Sequence, residues 1–391
     1  MKDYFKAVII EQIDRGLFLK RMIPKPLKYS ELSGLSIRCN HIIDTNVDSL
    51  KFLLEVFDQK YEENIRFILR ELRRCIRSLE LVEYYGVLPL NYQGEEMKYL
   101  NKLVFKIVQE INYPLDHPAV ASISTEYYFF NTFTNVIFIP FGESEFLLHI
   151  PDLFHELGHG ILTNKENHPK LSNLSEKYEL TLKKITEYYA DIISRKKRET
   201  RPEDVIYVIK LIQDNWKSYW IDEFLCDLFA LVTLGPAYVF SHLHLSTKKS
   251  KNVYQFSDIL PQTHPSDDSR MKMLIYGLEL LGFENEAVEM SSKWNAMPYV
   301  ASVQPPVEYQ YAYPKSLMKE IASIFVDGLK ENHFHITTPG NLKKLDDKSI
   351  RKLLNEAWDK FWENPHEFRT WETSIISILK EGRYFTDKVA F

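Results

Sequence analysis

Apolar residues recur at helical spacing along most of the chain. In residues 47–85, leucine, isoleucine and aromatic side chains return every three or four positions with charged residues between them. This pattern predicts one or two long amphipathic helices. The same periodicity predicts helices over residues 95–111, 316–332 and 349–363. We therefore expect helices to make up most of the structure.

Residues 121–140 follow a different pattern, in which β-branched and aromatic residues dominate. They predict a β-hairpin or two adjacent strands, closed by Pro140 and Gly142. The free edge of such a strand can bind an extended peptide through main-chain hydrogen bonds. The alternative is a sheet that serves only the core. The predicted fold is mainly α with a small β-sheet (α+β), arranged as a helical N-terminal region (1–115), a core (116–300) and a helical C-terminal region (301–391).

Composition and charge narrow the class of protein. Of the 391 residues, 45% are hydrophobic, which is enough for a substantial core. The net charge of −5 differs from the basic charge that is typical of proteins that bind nucleic acid or an anionic membrane. The three cysteines lack metal-ligand spacing and fit a reducing compartment. The N-terminus shows no secretory signal, and the longest apolar stretch, residues 228–240, is too short to span a membrane. We expect a soluble, cytoplasmic protein with no membrane span and no nucleic-acid partner.

The candidate chemistry lies in an H-E-x-x-H pattern within an apolar run. His155 and His159 are four positions apart, so on a helix they project from one face and can bind one metal ion. Glu156 is placed to take a proton from metal-bound water rather than to bind the metal. The pattern predicts a metal site with a carboxylate base beside it.

Two further features of this run limit the kind of site. Gly158 costs about 1 kcal/mol of helix propensity relative to alanine, which is explained if another backbone or the substrate approaches closely there. Leu162 and Lys165 occupy the positions where a metzincin has its later glycine and third histidine. The third ligand should therefore be a carboxylate from elsewhere in the chain.

Two carboxylate pairs at i, i+4 spacing can supply that ligand. Glu187 and Asp191 share a helix face with Lys183, as exposed ion pairs do, whereas nearly every residue around Glu223 and Asp227 is apolar. Burying two carboxylates is costly without a metal or a donor, which favours Glu223 as the ligand. Asp227 can then accept a hydrogen bond from the far nitrogen of a ligand histidine. Glu187 stays an alternative ligand, and an ordinary salt bridge stays an alternative for both pairs.

A third group of polar residues follows the second carboxylate pair. His264 is fixed by the proline after it, and Arg270 lies six positions later at the start of a predicted helix. Either side chain can supply a donor to a developing oxyanion. The other interpretation of His264 is an ordinary turn residue.

Taken in order, His155-Glu156-x-x-His159, Glu223-x-x-x-Asp227 and His264-Pro265 with Arg270 resemble the gluzincin metallopeptidases. The pattern is similar to the group that contains the CAAX prenyl endopeptidases, the heat-shock membrane peptidases and their soluble relatives, over residues 134–280. The resemblance implies a zincin-like catalytic core and a zinc ion (Zn2+) held by His155, His159 and Glu223. It also implies Glu156 as general base, Asp227 behind a ligand histidine, and His264 and Arg270 as auxiliary catalytic groups.

The chain departs from that group in two ways. The membrane helices of its best-known members are absent from the sequence, and Cys226 stands where the group usually has alanine. The segment from Glu187 to Asp191 matches the usual E-x-x-A-D pattern literally, which keeps Glu187 open as the ligand.

These residues predict a zinc-dependent hydrolase, a metalloprotease acting on a peptide or protein substrate. Zinc-activated water attacks the peptide carbonyl, and Glu156 collects the proton and passes it to the leaving amine. The alternative is a catalytically inactive zincin-fold protein that binds or regulates a partner and keeps a structural zinc. A third interpretation is that the H-E-x-x-H pattern is accidental.

Overall fold

Helices dominate the structure, a computed structural model that describes residues 2–92, 94–124, 127–198, 203–249, 252–255, 257, 260–301 and 304–385. Helix accounts for 76% of it and strand for 4%, the latter as one three-stranded sheet within the described ranges. The predicted fold class, mainly α with a small β-sheet, is confirmed. No helix in these ranges is both long and apolar enough to cross a bilayer.

The chain divides into two compact units. The first contains the described residues of 1–105, 116–144 and 379–391, and the second those of 106–115 and 145–378. The units are defined by packing, whereas the three regions 1–115, 116–300 and 301–391 were predicted from sequence pattern. The three-region division stays a prediction.

The helices of the first unit are mainly two long ones that pack side by side. They and the shorter helices that follow are α1 (Lys2–Met22), α2 (Ser33–Val82), α3 (Leu88–Asn91) and α4 (Glu95–Glu110), whose last five residues belong to the second unit. The predicted helical run over 47–85 is thus part of one 50-residue helix, α2, followed by a π-helical turn at Glu83–Val87. Its Ile43, Leu50 and Leu79 are fully buried in a core shared with α1. Full burial of such a side chain stabilises the fold by about 1.5–3 kcal/mol.

The sheet of the first unit has three strands in the order β1-β3-β2. These are β1 (Ala119–Ser124), β2 (Phe129–Asn131) and β3 (Val136–Pro140). The antiparallel β2–β3 pair confirms the predicted hairpin, and β1 adds a parallel neighbour that the pattern does not predict. Asn101 of α4 donates to the carbonyl of Val120 and accepts from its amide, both at 2.9 Å, so a side chain occupies the outer edge of β1 there. Peptide binding along this sheet stays a prediction.

The second unit is a helical assembly. Its helices are α5 (Asp152–Asn164), α6 (Ser172–Lys196), α7 (Glu203–Asn215), α8 (Ile221–Leu234), α9 (Pro236–Lys249), α10 (Asp267–Leu281), α11 (Glu284–Ala301), α12 (Tyr309–Ala312), α13 (Lys315–Glu331), α14 (Pro339–Leu342), α15 (Ile350–Glu363) and α16 (Pro365–Lys380), the last two residues of α16 falling in the first unit. The helices predicted over 316–332 and 349–363 correspond to α13 and α15.

Helix α8 forms the centre of the second unit. All of its residues except Asp222 are buried, as the unbroken apolar sequence around Glu223 predicts. It packs against α5, α9, α10 and α13. The polar side chains of α8 other than Asp222 therefore face neighbouring helices rather than solvent.

Candidate metal centre

Helix α5 carries the H-E-x-x-H pattern, as the sequence predicts. His155 and His159 lie one turn apart on the same face, with ring centroids 5.0 Å apart and planes at 82°. His155 is buried, and the side chain of His159 is 28% exposed. The second histidine therefore faces the open side of the site.

Helix α8 brings the carboxylate of Glu223 to both imidazoles. Its Oε2 lies 3.6 Å from Nε2 of His155, and its Oε1 lies 3.8 Å from Nε2 of His159. Ligand atoms that surround one zinc ion at about 2.0 Å in a tetrahedron lie about 3.3 Å from each other. Each imidazole therefore lies close to one oxygen of Glu223, at slightly more than the separation of two ligands of one ion.

The other candidate carboxylates lie on the surface. Glu187 has a side chain that is 56% exposed and lies 3.9 Å from Lys183. Asp191 pairs with Arg195 at 2.8 Å. These are the exposed ion pairs that the helical spacing predicts for this segment, and it is Glu223 that meets the two histidines.

Asp227 lies behind His155, as proposed from its spacing. It is fully buried, and its Oδ1 is 3.0 Å from Nδ1 of His155. Arg270 donates to both oxygens, through Nη2 at 2.6 Å and Nε at 2.8 Å. Burial alone would raise the pKa of Asp227, but the guanidinium of Arg270 holds it well below its ordinary value. Asp227 is therefore an ionised acceptor for the far nitrogen of His155.

Arg270 and His264 both reach Glu223. The third guanidinium nitrogen, Nη1 of Arg270, lies 3.7 Å from Oε2 of Glu223, and Nε2 of His264 lies 3.9 Å from Oε1. The side chain of Arg270 is 14% exposed and that of His264 is 67% exposed. Arg270 is positioned to hold the carboxylates of Asp227 and Glu223. His264 lies at the exposed opening of the site. Their roles toward an oxyanion stay predictions.

A buried hydrogen-bond network fixes the start of α10 and so the position of Arg270. Ser266 caps the helix by accepting from the amide of Ser269 at 3.1 Å. Asp268 is buried and accepts from Nε1 of Trp294 at 3.0 Å and from the hydroxyl of Tyr309 at 2.8 Å. The carboxylate is thereby satisfied within the core, which makes this end of α10 a firm support.

The titration of the site suits metal binding. Burial lowers the pKa of His159 to about 4, so its ring is neutral at pH 7, the form that binds metals. Burial opposes ionisation of Glu223, but Arg270 and the histidines outweigh it and lower the pKa. Burial lowers the pKa of His155 as well, but the larger effect of the nearby Asp227 carboxylate leaves it raised above its ordinary value. A metal ion must therefore compete with a proton for His155. The donor set is two imidazoles and one ionised carboxylate, which fits zinc and other divalent transition metals.

Glu156 follows His155 directly on α5. It is 6% exposed, and its Oε2 has no hydrogen-bond partner among the residues that the structure describes. Burial raises the pKa of Glu156 to about 7. A carboxylate oxygen kept buried without a donor is costly to the fold, so it needs an explanation outside folding.

No protein-family model, curated protein or solved structure matches the chain.

Cys226 is a possible ligand that the sequence did not indicate. Its sulfur and ring nitrogens of His155 and His159 lie within 4.8 Å of one another, so these three could also hold a metal ion. Burial raises the pKa of the Cys226 thiol well above its ordinary value, whereas Glu223 is ionised. A metal binds the thiolate and itself favours deprotonation of a coordinating thiol, so Cys226 stays an alternative to Glu223 as the third ligand.

Replacing Cys226 by alanine should leave zinc affinity unchanged. We expect this if Glu223 is the third ligand, since the Cys226 side chain then only packs between α5 and α8. Chelator competition on the purified variant measures this, with Cys75→Ala as the control that removes another buried thiol. A loss of affinity of more than about tenfold in Cys226→Ala alone would make the cysteine a ligand.

Gly158 is required by the close approach of α5 and α8. A Cβ at this position would lie 2.9 Å from Cα of Cys226 and 3.1 Å from its Cβ and sulfur. Of the two explanations offered for Gly158, a second backbone or the substrate, the structure shows the close approach of a second backbone. The backbone of α8, on which Glu223 and Asp227 stand, can come this near to α5 only beside a glycine.

Gly158→Ala should lower the free energy of unfolding by about 1–3 kcal/mol, because the added methyl meets a backbone atom that cannot rotate away. Urea denaturation measures the change. Gly34→Ala is the control, since a Cβ there has nothing within 4 Å, and the helix should gain about 0.4–1 kcal/mol. Equal stability of Gly158→Ala and the wild type would show that the two helices separate freely.

Proposed function

We propose that this chain is a zinc-dependent peptidase that hydrolyses peptide bonds, with His155, His159 and Glu223 holding the ion. The observation that carries the proposal is the buried Glu156 carboxylate, with an unpartnered oxygen, one residue from a ligand histidine. When bound, a zinc ion supplies Lewis acidity, which makes water a nucleophile near neutral pH and polarises a peptide carbonyl.

The chain's own residues then carry the proton and hold the geometry. Glu156 accepts a proton from the attacking water at a carboxylate oxygen and passes it to the nitrogen of the leaving amine. Asp227 and Arg270 keep His155 and Glu223 in place through the contacts of 2.6–3.7 Å described above. In this proposal His264, whose Nε2 lies 3.9 Å from Oε1 of Glu223, donates through Nε2 to the oxygen of the scissile carbonyl.

The buried carboxylate of Glu156 argues against a purely structural role for the zinc ion. Structural sites are usually closed by four protein ligands, whereas catalytic sites have three ligands and an open position. A protein that only stores zinc gains nothing from burying Glu156 beside the ligands, and it loses stability by doing so. The choice of a peptide as substrate is supported by the ordered motif, which resembles the gluzincin peptidases.

A peptide-library assay read by mass spectrometry tests this function. We expect cleavage in the presence of zinc, loss of cleavage with 1,10-phenanthroline, and recovery when zinc is restored to the dialysed protein. Protein with one bound zinc ion and no cleavage of any library member would favour the inactive, zinc-binding alternative instead.

A further inference from the structure

Tyr238 belongs to the metal centre, although no sequence motif contains it. It lies on the first turn of α9 and is 2% exposed. Its hydroxyl is 2.5 Å from Oδ1 of Asp227 and 3.0 Å from Nδ1 of His155. Its ring is nearly parallel to that of His155, at 14° with centroids 6.1 Å apart. Gly235, with φ of 97°, lets α9 turn back directly after α8 and so brings Tyr238 beside Asp227.

The protons around this hydroxyl can be assigned from the donors available. Asp227 is held ionised by Arg270 and can only accept. The single proton of the Tyr238 hydroxyl goes to Asp227, because that contact is the shorter one and ends on a charge. Nδ1 of His155 then faces two acceptors, Oδ1 of Asp227 and the Tyr238 oxygen, both at 3.0 Å. It must donate, so Nδ1 carries the hydrogen.

This assignment determines which nitrogen of His155 can bind a metal. With the hydrogen on Nδ1, the lone pair of the neutral ring is on Nε2, the nitrogen that lies 3.6 Å from Glu223. If Tyr238 instead donated to Nδ1, the neutral ring would carry its hydrogen on Nε2 and could not bind there. The atom to which the Tyr238 hydroxyl donates therefore decides whether Nε2 of His155 is free to bind a metal ion.

We propose that Tyr238 is a positioning residue of the metal centre, whose hydroxyl anchors Asp227 and thereby holds His155 with Nε2 toward the ion. The inference rests on the proposed metal-binding function and adds a residue to it. Tyr238 touches neither the ion nor the substrate. Its effect passes through Asp227 and His155, and it should appear in metal affinity before it appears in any step of catalysis.

The test is the zinc affinity of Tyr238→Phe, measured by competition with a chromophoric chelator at fixed pH. The substitution keeps the ring and removes only the hydroxyl, and we expect affinity to fall by about 10- to 100-fold. Tyr113→Phe is the matched control, because its hydroxyl donates to the main-chain carbonyl of Leu157 on α5 at 3.1 Å and not to a side chain of the metal centre. It should bind zinc as the wild type does.

A double-mutant cycle separates positioning from general damage to the fold. In an Asp227→Asn background Tyr238→Phe should have little further effect on affinity, since the hydroxyl acts through that carboxylate. The cobalt-substituted protein should also show an altered visible spectrum in Tyr238→Phe and an unaltered one in Tyr113→Phe. Circular dichroism fixes a temperature at which all of the variants are folded, and affinities are compared there.

The outcomes distinguish this inference from the function on which it rests. Wild-type affinity and spectrum in Tyr238→Phe, or additive effects in the cycle, would overturn the role of Tyr238 while leaving the metal centre intact. A wild-type protein that binds neither zinc nor cobalt would overturn both.

Discussion

Glu156→Gln should bind zinc as the wild type does and lose peptide cleavage. Glutamine preserves the shape of the side chain but cannot take a proton, and general-base catalysis contributes about 10²- to 10⁴-fold to such reactions. We expect kcat/KM to fall by about 10³-fold or more, with zinc content unchanged. Because Oε2 of Glu156 is buried without a partner, the substitution should leave thermal stability equal or higher.

The control for this experiment is Glu187→Gln, the same chemical change at a carboxylate that is 56% exposed. It should retain full activity. Activity of Glu156→Gln within about tenfold of the wild type, measured on a peptide that the wild type cleaves, would remove Glu156 from the mechanism.

Glu223→Ala should lose the metal. Its carboxylate is the group that meets Nε2 of both histidines, at 3.6 and 3.8 Å. Loss of a residue behind a ligand costs about 10- to 100-fold in affinity, so loss of a ligand should cost more than about 100-fold. Elemental analysis after dialysis and a chelator titration give the stoichiometry and the affinity.

Glu187→Ala is the comparison that decides between the two carboxylates of the sequence argument. We expect it to bind one zinc ion with wild-type affinity, because Glu187 pairs with Lys183 at the surface. Zinc loss in Glu187→Ala with retention in Glu223→Ala would reverse the assignment.

The sequence predicted those features that depend on neighbours along the chain. Helical periodicity located α2, α4, α13 and α15, and i, i+4 spacing placed His155 and His159 on one face of α5. The choice of Glu223 also came from local information, because a carboxylate in an apolar helix needs a partner in the core. These features depend on residues within a few helical turns of each other, so the local sequence is enough to predict them.

The features that the sequence did not predict depend on which elements meet in the folded chain. The parallel pairing of β1 with β3 joins segments that a hairpin pattern does not connect. Cys226 reaches the two histidines only because α5 and α8 touch at Gly158. Tyr238 reaches Asp227 only because the chain reverses at Gly235. None of these contacts leaves a periodic pattern, so spacing alone could not show them.

Anomalous diffraction at the zinc edge, from crystals of the zinc-loaded protein, tests the central claim most directly. We predict one peak, about 2.0–2.2 Å from Nε2 of His155, Nε2 of His159 and a carboxylate oxygen of Glu223, with Glu156 beside the ion but not bound to it. Absence of a peak at α5, or a peak bound by the sulfur of Cys226 at about 2.3 Å in place of Glu223, would contradict the proposed site.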